Sequence, residues 1–183
     1  MGEWQNIEVY STFLRIRGQV EVLPGQRLSD VVNRLNEFLE LHNTITDPLT
    51  AGYPVVTEEE SNTTIAKRSV VMVCPETEQS ASANRMLWRE KIHQHVVLNT
   101  TAFALEADVH LEPRSSLLQQ LEYRLGDFLP VTRVSAVWVP SLGAQQQVLR
   151  RDFALINPAS IVSFSLRDAS AAQTTPEAQQ TAT

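Results

Sequence analysis

The segment Leu14–Val22 reads LRIRGQVEV, with small or apolar residues at every second position and mostly polar residues between them. The segment Phe103–Leu111 reads FALEADVHL and repeats this alternation 89 positions later. A period of two predicts a strand with one face buried and the other in solvent. The two segments therefore predict a β-rich protein in which one type of strand occurs twice.

The likeness between the two parts of the chain continues beyond these strands. RLNEFL at 34–39 matches RLGDFL at 124–129. KRSVVMVCP at 67–75 resembles RRDFALINP at 150–158. Because the matches occur in the same order on the same types of element, they predict an internal duplication.

Each copy predicts a long strand, a proline turn, a short amphipathic helix, a second strand from Phe38 or Phe128, a variable loop and an apolar strand. The loop in the first copy is 47–64, with a solvated acidic tip at 58–60. The first helix presents an apolar face of Leu28, Val31, Val32 and Leu35, and the second a face of Leu117, Leu118, Leu121 and Leu125.

The predicted helix starts have recognisable caps. Ser29 is the predicted N-cap of the first helix. Ser116 with Gln119 predicts a capping box at the second. Gly18 in the first strand predicts a bend or a close approach of another backbone.

The predicted organisation is repeat unit one at 5–75, a linker at 76–90, repeat unit two at 91–168 and a disordered tail at 169–183. Units of this size are marginal alone. We therefore expect their apolar faces to pack together with pseudo-twofold symmetry. The predicted fold class is α+β, mainly antiparallel β, built from two related small β-rich units that each carry one short amphipathic helix.

The charge balance excludes several classes of partner. Lys plus Arg number 15 and Asp plus Glu number 21, so the net charge is −6. A negative chain is a poor match for nucleic acid or for anionic membranes.

The single cysteine excludes an intramolecular disulfide and a cysteine-based zinc site. Because no apolar run reaches about 18 residues and no secretion signal is recognisable, we expect a cytoplasmic protein.

Four charged residues are candidates for contact between the repeats. Arg15 and Arg17 lie on the polar face of the first strand, and Glu106 and Asp108 lie near the equivalent places of its copy. One interpretation is a pair of solvated strand faces with unrelated charges. The other is that the two strands pair or face each other, with opposite charges favouring that arrangement.

Trp88 and two arginines are weaker candidates. Trp88, in the linker, predicts packing across the copies or, if exposed, an anchor for a partner. Arg34 and Arg124 each precede an acidic residue by three positions, Glu37 and Asp127, which predicts local ion pairs. An anion-binding site that uses both arginines is the alternative.

The chain lacks the motifs of common catalytic sites, including G-x-S-x-G, G-x-G-x-x-G and H-E-x-x-H. His93 and His95 share one strand face and could ligate a metal with a third residue such as His110, or they could be surface histidines; we predict no metal site. Cys74 ends an apolar run and predicts a small buried side chain. We therefore predict neither an enzyme nor a cofactor.

The stretch PGQRLSDVVN at 24–33, followed by FLEL at 38–41, resembles a bacterial domain family of unknown function with R-L-S-D-x-x-N and then F-L-x-L. INP at 156–158 and the strand at 161–166 resemble the end of that domain. The second copy has SLLQ at 116–119 in place of R-L-S-D. The resemblance implies one fold unit in two tandem copies, and it implies no activity.

These observations predict a non-catalytic cytoplasmic module for protein interaction or scaffolding, with an unidentified protein partner and with homo-oligomerisation left open. The alternative is a small-ligand or regulatory binding domain with a cleft between the two repeat units.

Overall fold

A computed structural model describes residues 2–49, 58–76, 92–123, 127–139 and 148–167. The first half of the chain contains β1 (Glu3–Tyr10), β2 (Leu14–Val22), α1 (Leu28–Val32), β3 (Phe38–Pro48), β4 (Glu58–Ala66), a 3₁₀ turn (Lys67–Ser69) and β5 (Met72–Pro75). The second half contains β6 (Ile92–Thr100), β7 (Phe103–Leu111), α2 (Leu117–Tyr123), β8 (Leu129–Trp138), β9 (Val148–Ile156), a 3₁₀ turn (Pro158–Ser160) and β10 (Ile161–Leu166). The predicted β-rich, mainly antiparallel fold is confirmed.

Apart from residue 76, the predicted linker lies outside the described residues, as does the predicted tail. No helix in the described ranges is long and apolar enough to cross a membrane.

The ten strands form one antiparallel sheet in the order β10-β6-β7-β8-β9-β5-β1-β2-β3-β4. Each half places its strands in the order fifth, first, second, third, fourth. The halves join where β9 pairs with β5, with Met72 opposite Ile156 and Val73 opposite Leu155. We call this pairing the junction. Because it joins a fourth strand to a fifth strand, it is a heterologous contact rather than a self-complementary one.

The pairing irregularities of the two halves fall at matching places. β2 has a bulge at Gly18 against β3, and β7 has a bulge at Ala107 against β8. The facing strands carry matching residues with positive φ, Asn43 at 49° and Arg133 at 53°. A Cβ on Gly18 would lie 3.1 Å from the backbone oxygen of His42 and 2.8 Å from Thr44 Cγ2, so the predicted close approach of another backbone at this glycine is confirmed.

The turns also match. Ser11 Oγ accepts hydrogen bonds from the amides two and three residues further on, and Thr100 Oγ1 accepts the same two bonds in the second half. After β2 and β7 the chain turns through residues with positive φ, Gly25 at 82° and Arg114 at 68°. Short hydroxyl side chains and left-handed residues build such turns. The connections at both ends of the paired strands are therefore alike in the two halves.

Residues 58–66 form β4, where the sequence pattern predicted a variable loop with a solvated acidic tip. Ile65 is the one buried residue within 59–66. An edge strand that buries so little shows no apolar alternation, and this is why the pattern missed it. By place in the strand order β9 corresponds to β4 and β10 to β5, whereas the sequence match of 67–75 with 150–158 aligns β5 with β9.

The first helix is shorter than predicted, and the second has an exposed residue on its predicted apolar face. α1 ends at Val32, so Leu35 lies beyond it and is exposed. In α2, Leu117 is buried but Leu118 is 53% exposed. Leu125 lies outside the described residues.

The helix caps occupy matching positions. In α1 the N-cap is Arg27, whose amide donates to Asp30 Oδ2 at 2.8 Å, so the predicted cap at Ser29 is wrong by two positions. In α2 the predicted capping box is confirmed: the Ser116 amide donates to Gln119 Oε1 at 2.9 Å and the Gln119 amide donates to Ser116 Oγ at 3.2 Å. The sequence pattern misplaced the cap of α1 because Asp30 accepts a hydrogen bond from the amide of Arg27, and the Arg27 side chain itself cannot accept a hydrogen bond.

Each half is strongly curved. β4 and β5 lie four places apart in the sheet, yet only residues 67–71 connect them. Four strand spacings in a flat sheet would measure about 19 Å. A five-residue link that contains a 3₁₀ turn spans about 16 Å at most. The sheet therefore bends around the core, as the small residue in β2 predicted.

The core is divided between the two faces of the sheet. Met72, Cys74 and Ile156 belong to an apolar cluster built mainly from the second half, whereas Val73 and Leu155 belong to a cluster built mainly from the first half. Successive side chains on a strand point to opposite faces. The two apolar faces therefore do not pack directly against each other as predicted, because the strands of the junction lie between them.

Candidate functional site

A buried ion pair links the two halves beside the junction. Arg151 on β9 donates from Nε to Glu8 Oε2 on β1 at 3.1 Å and also binds that oxygen through Nη2. Glu8 is 5% exposed. Tyr10 donates its hydroxyl to the same carboxylate at 2.9 Å, and Arg15 Nη1 lies 3.8 Å from it. Burial, reinforced by the Glu8 charge, raises the pKa of Tyr10 well above its usual range, so this hydroxyl stays a donor.

Arg15 and Arg17 reach neither Glu106 nor Asp108 through strand pairing. Their strand, β2, lies between β1 and β3, whereas β7 lies between β6 and β8. Both guanidiniums instead bind Asp47 on β3, at 3.0 and 2.9 Å. The interpretation in which β2 pairs with β7 is therefore not met, because each strand pairs with neighbours from its own half.

Asp108 lies at the centre of a second cluster, on β7. It is 2% exposed, its Oδ1 lies 3.0 Å from His95 Nδ1, and its Oδ2 accepts a hydrogen bond from Arg133 Nε. Burial opposes ionisation of this carboxyl, but the hydrogen bonds from His95 and Arg133 outweigh it and lower the pKa of Asp108. The arrangement holds three neighbouring strands at the bulge.

The first half contains a neutral version of the same cluster. Gln19 stands at the place of Asp108; its Nε2 donates to Asn6 Oδ1 at 2.9 Å, and its Oε1 accepts from Asn43 Nδ2 at 3.1 Å. Because three uncharged side chains join the matching strands of the first half, the Asp108 cluster is explained by the contacts that it makes between neighbouring strands.

The two clustered aspartates predict a pH dependence of stability. Burial again opposes ionisation of Asp47, but Arg15 and Arg17 outweigh it and lower its pKa. A carboxyl whose pKa is lowered by folding stabilises the folded state above the unfolded value of about 3.9, and that stability is lost as the pH falls through the folded pKa. We expect stability to fall steadily below about pH 5 in urea titrations.

The control for this pH dependence is the double variant Asp47→Asn with Asp108→Asn. It should be less stable than the wild type at neutral pH and should show a flatter decline in acid. An equally steep decline in the double variant would contradict the assignment.

The histidines and the cysteine singled out in the sequence lie on β5, β6 and β7. The His93 and His110 rings lie 4.4 Å apart, edge to face, and His110 Nε2 lies 2.8 Å from Thr132 Oγ1. No group of three or more histidine, cysteine or acidic side chains within the described ranges could hold a metal ion. Burial raises the pKa of the Cys74 thiol to about 12, so it is protonated at neutral pH.

The free edge of the sheet at β10 is apolar. Val162 is 70% exposed and Leu166 is 49% exposed. In the first half, Val71 directly before β5 lies at the place of Val162 and is 2% exposed, and Val73 on β5 corresponds to Phe164 and is fully buried. The difference has a physical cause, since β9 covers β5 and no described strand covers β10.

The other free edge, at β4, is polar. Its residues 59–62 and Thr64 are exposed, and two of them are glutamates. β10 carries no charged residue, and Arg167 directly after it donates to Glu106 at 3.1 Å. The two described edges of the sheet therefore differ in both charge and hydrophobicity.

A cleft of about 380 Å³ lies where the turns of both halves meet. Asn157 joins the halves at this place, because its Nδ2 donates to Lys67 O at 3.0 Å and to Val70 O at 2.7 Å. Among the described residues that line it, Arg68 is the one charged residue. The lining consists of Ser11, Thr12, Phe13, Arg68, Ser69, Val70, Val71, Thr101, Ala159 and Ser160.

The weaker sequence candidates do not form a site in the described residues. Trp88 and Arg124 lie outside the described ranges. Arg34 Nη2 donates to Gln26 Oε1 at 3.1 Å rather than pairing with Glu37. The predicted anion site, which needs both arginines, therefore stays a prediction.

Sequence reasoning missed Glu8, Arg151 and the free edge at β10. Glu8 stands at an alternating polar position, which is typical of a solvent-facing side chain. Its burial arises only because β9 docks beside β5. The sequence feature that could have indicated the edge is the predicted alternating strand at 161–166, for which no neighbouring strand was predicted.

Comparison of the chain with protein-family models, with curated proteins and with solved structures finds no match in any of the three.

Proposed function

We propose that the chain is a tandem of two related five-stranded units that serves as a non-catalytic module for protein interaction or scaffolding. The matching strand order, bulges, turns and left-handed residues of 3–75 and 92–166 support the duplication. The heterologous junction favours a head-to-tail relation of the units over the pseudo-twofold packing expected from the sequence. A cytoplasmic location stays a prediction from the composition.

The observation that carries this proposal is the apolar edge at β10. An edge strand presents a row of unpaired backbone groups, and natural proteins usually protect such edges with charge, proline or a covering element. β10 has no charge or proline, and Val162 and Leu166 project into solvent. Addition of a partner strand to such an edge is a common mode of recognition, with backbone hydrogen bonds supplying affinity and apolar side chains supplying specificity.

Site-specific photo-crosslinking tests this surface. Val162→p-benzoylphenylalanine, in cells that make the protein, should yield discrete protein adducts after irradiation. The matched control is Leu118→p-benzoylphenylalanine, since Leu118 is 53% exposed but lies on α2. Adducts at neither position, or the same adducts at both, would contradict recognition through the β10 edge.

A binding domain for a small hydroxylated anion is the second candidate, and the cleft between the turns favours it. Hydroxyl groups and one guanidinium converge on about 380 Å³, a volume that suits a small molecule. Native mass spectrometry of the purified protein should then show a retained small molecule that is lost in Arg68→Ala and kept in the control Arg114→Ala. Absence of any retained mass in the wild type would remove this candidate.

A further inference from the structure

Building on the proposed strand addition at β10, we propose that the added strand is β4 of a second copy of this chain, so that chains associate head to tail. Each chain exposes one β10 edge and one β4 edge among its described strands. The contact would extend the sheet from one molecule to the next.

The interface that this association needs already exists inside the chain. At the junction the fourth strand of one half, β9, pairs antiparallel with the fifth strand of the other half, β5. β4 and β10 are the remaining fourth and fifth strands. A second copy that repeats the junction would therefore pair its β4 with β10, and the repeat of a heterologous contact yields rings if the rotation closes and filaments if it does not.

The matching positions supply a register for the contact. Met72 opposite Ile156 corresponds to Ser163 opposite Ile65 of the next chain. In this register Phe164 lies opposite Thr64, and Leu166 lies opposite Asn62. A backbone hydrogen bond of the junction also has an equivalent in this contact. At the junction the amide of residue 157 donates to the carbonyl of residue 71 at 3.0 Å. In the proposed contact the amide of residue 66 would donate to the carbonyl of residue 162.

The side chains favour this pairing. β4 would cover the apolar residues of β10, and the counterpart of Phe164 on β5, Val73, is buried where β9 pairs with that strand. The register also places Arg167 opposite Ser61 and beside Glu60, which gives opposite charges at the end of the contact. A pairing of β10 with a second β10 would leave the acidic β4 edge unused and would not repeat the junction.

The association should be weaker than the junction whose pairing it repeats. Leu155 of the junction becomes Thr64 in β4, and Asn157, which clamps Lys67 and Val70, becomes Ala66. Arg151, the partner of the buried Glu8, corresponds to Glu60 in β4. A contact without these three contributions forms reversibly, so the oligomer should depend on protein concentration.

Sedimentation of the full chain with edge-blocked variants tests the proposal. Val162→Lys with Leu166→Lys blocks β10, and Asn62→Lys with Thr64→Lys blocks β4, because edge lysines prevent strand pairing. These four residues are exposed, and thermal melts would verify that both variants fold. The weight-average mass of the wild type should at least double between micromolar and millimolar concentrations, and each blocked variant alone should stay monomeric.

Mixing the two variants gives the decisive result. Since one keeps only a free β4 and the other only a free β10, an equimolar mixture should form a one-to-one heterodimer that stops there. If the β4-blocked variant still dimerises alone, strand addition at β10 stands and its partner is not β4. If the wild type is monomeric throughout, the head-to-tail proposal fails, whereas photo-adducts of position 162 with other proteins would leave the interaction module intact.

A disulfide verifies the register. In a Cys74→Ala background, Thr64→Cys with Phe164→Cys should form intermolecular disulfides on mild oxidation, since opposite residues bring Cβ atoms within about 4.5 Å. The control pair Glu59→Cys with Phe164→Cys is displaced by five residues and should not. Equal cross-linking of both pairs would overturn the register.

Discussion

Replacing Leu155 with alanine should lower the free energy of unfolding by about 3 kcal/mol or more. Leu155 is fully buried, lies opposite Val73 at the junction, and belongs to the cluster of the first half although it comes from the second. Its strand lies between β8 and β5, which hold the residues around it in place, so the cavity cannot close. Urea denaturation followed by tryptophan fluorescence and circular dichroism would measure the loss.

Thr64→Ala is the matched control, because Thr64 holds the same place in β4 and is exposed. An exposed substitution of this kind should change the free energy of unfolding by no more than about 0.5 kcal/mol. Similar losses for the two variants would show that burial at the junction is not what distinguishes β9 from β4.

Removal of the Glu8 carboxylate should cost nearly as much. Glu8→Ala leaves the Arg151 guanidinium and the Tyr10 hydroxyl without their common acceptor. Loss of one member of a buried ion pair typically costs about 3–5 kcal/mol. The side chain of Arg151 is 28% exposed and keeps some water, so we expect a loss at the lower end of that range.

Two variants distinguish a buried pair from an ordinary one. Glu106→Ala breaks the pair with Arg167, whose side chains are 45% and 56% exposed, and should cost less than about 1 kcal/mol. Glu8→Leu combined with Arg151→Met removes both charges and should recover most of the stability lost in Glu8→Ala. If Glu8→Ala costs no more than Glu106→Ala, the ion pair does not hold the halves together.

Both predictions concern the junction, and the junction explains why the two halves form one sheet. Three kinds of contact lie within a few residues of one another at the junction. They are a pair of opposite residues on each face of the sheet, the Glu8–Arg151 ion pair, and the hydrogen bonds from the Asn157 side chain. Phe128 from the second half covers the core of the first half, and Tyr10 from the first half covers the core of the second. Because each core includes residues from the other half, we expect the described halves to unfold together.

Some of the local structure could be predicted from the sequence because it depends on neighbouring residues. The alternation of β2 and β7, the close approach at Gly18 and the capping box at Ser116 are short-range features. The helix at α1 was predicted at the right place but too long, since Leu35 fits the spacing of an apolar face without being buried.

The candidate interaction surface could not be predicted in the same way. Phe164 on β10 and Val73 on β5 are apolar residues at matching positions, and Phe164 is only partly buried whereas Val73 is fully buried. The sequence of each strand does not indicate which of the two strands, β5 or β10, is covered by a neighbouring strand. Likewise, Glu8 and Arg151 are 143 residues apart and become partners only when β9 docks beside β5.

The sequence by itself determined several local features of this protein: the alternation of β2 and β7, the close approach at Gly18 and the capping box at the start of α2. Those features follow from the spacing of side chains along a backbone, which is a local property. The tertiary structure decided which strands are neighbours, that the two cores lie on opposite faces of one sheet, and that β4 and β10 form its edges. These follow from packing between residues far apart in the chain, where the burial of a side chain depends on what covers it rather than on what it is.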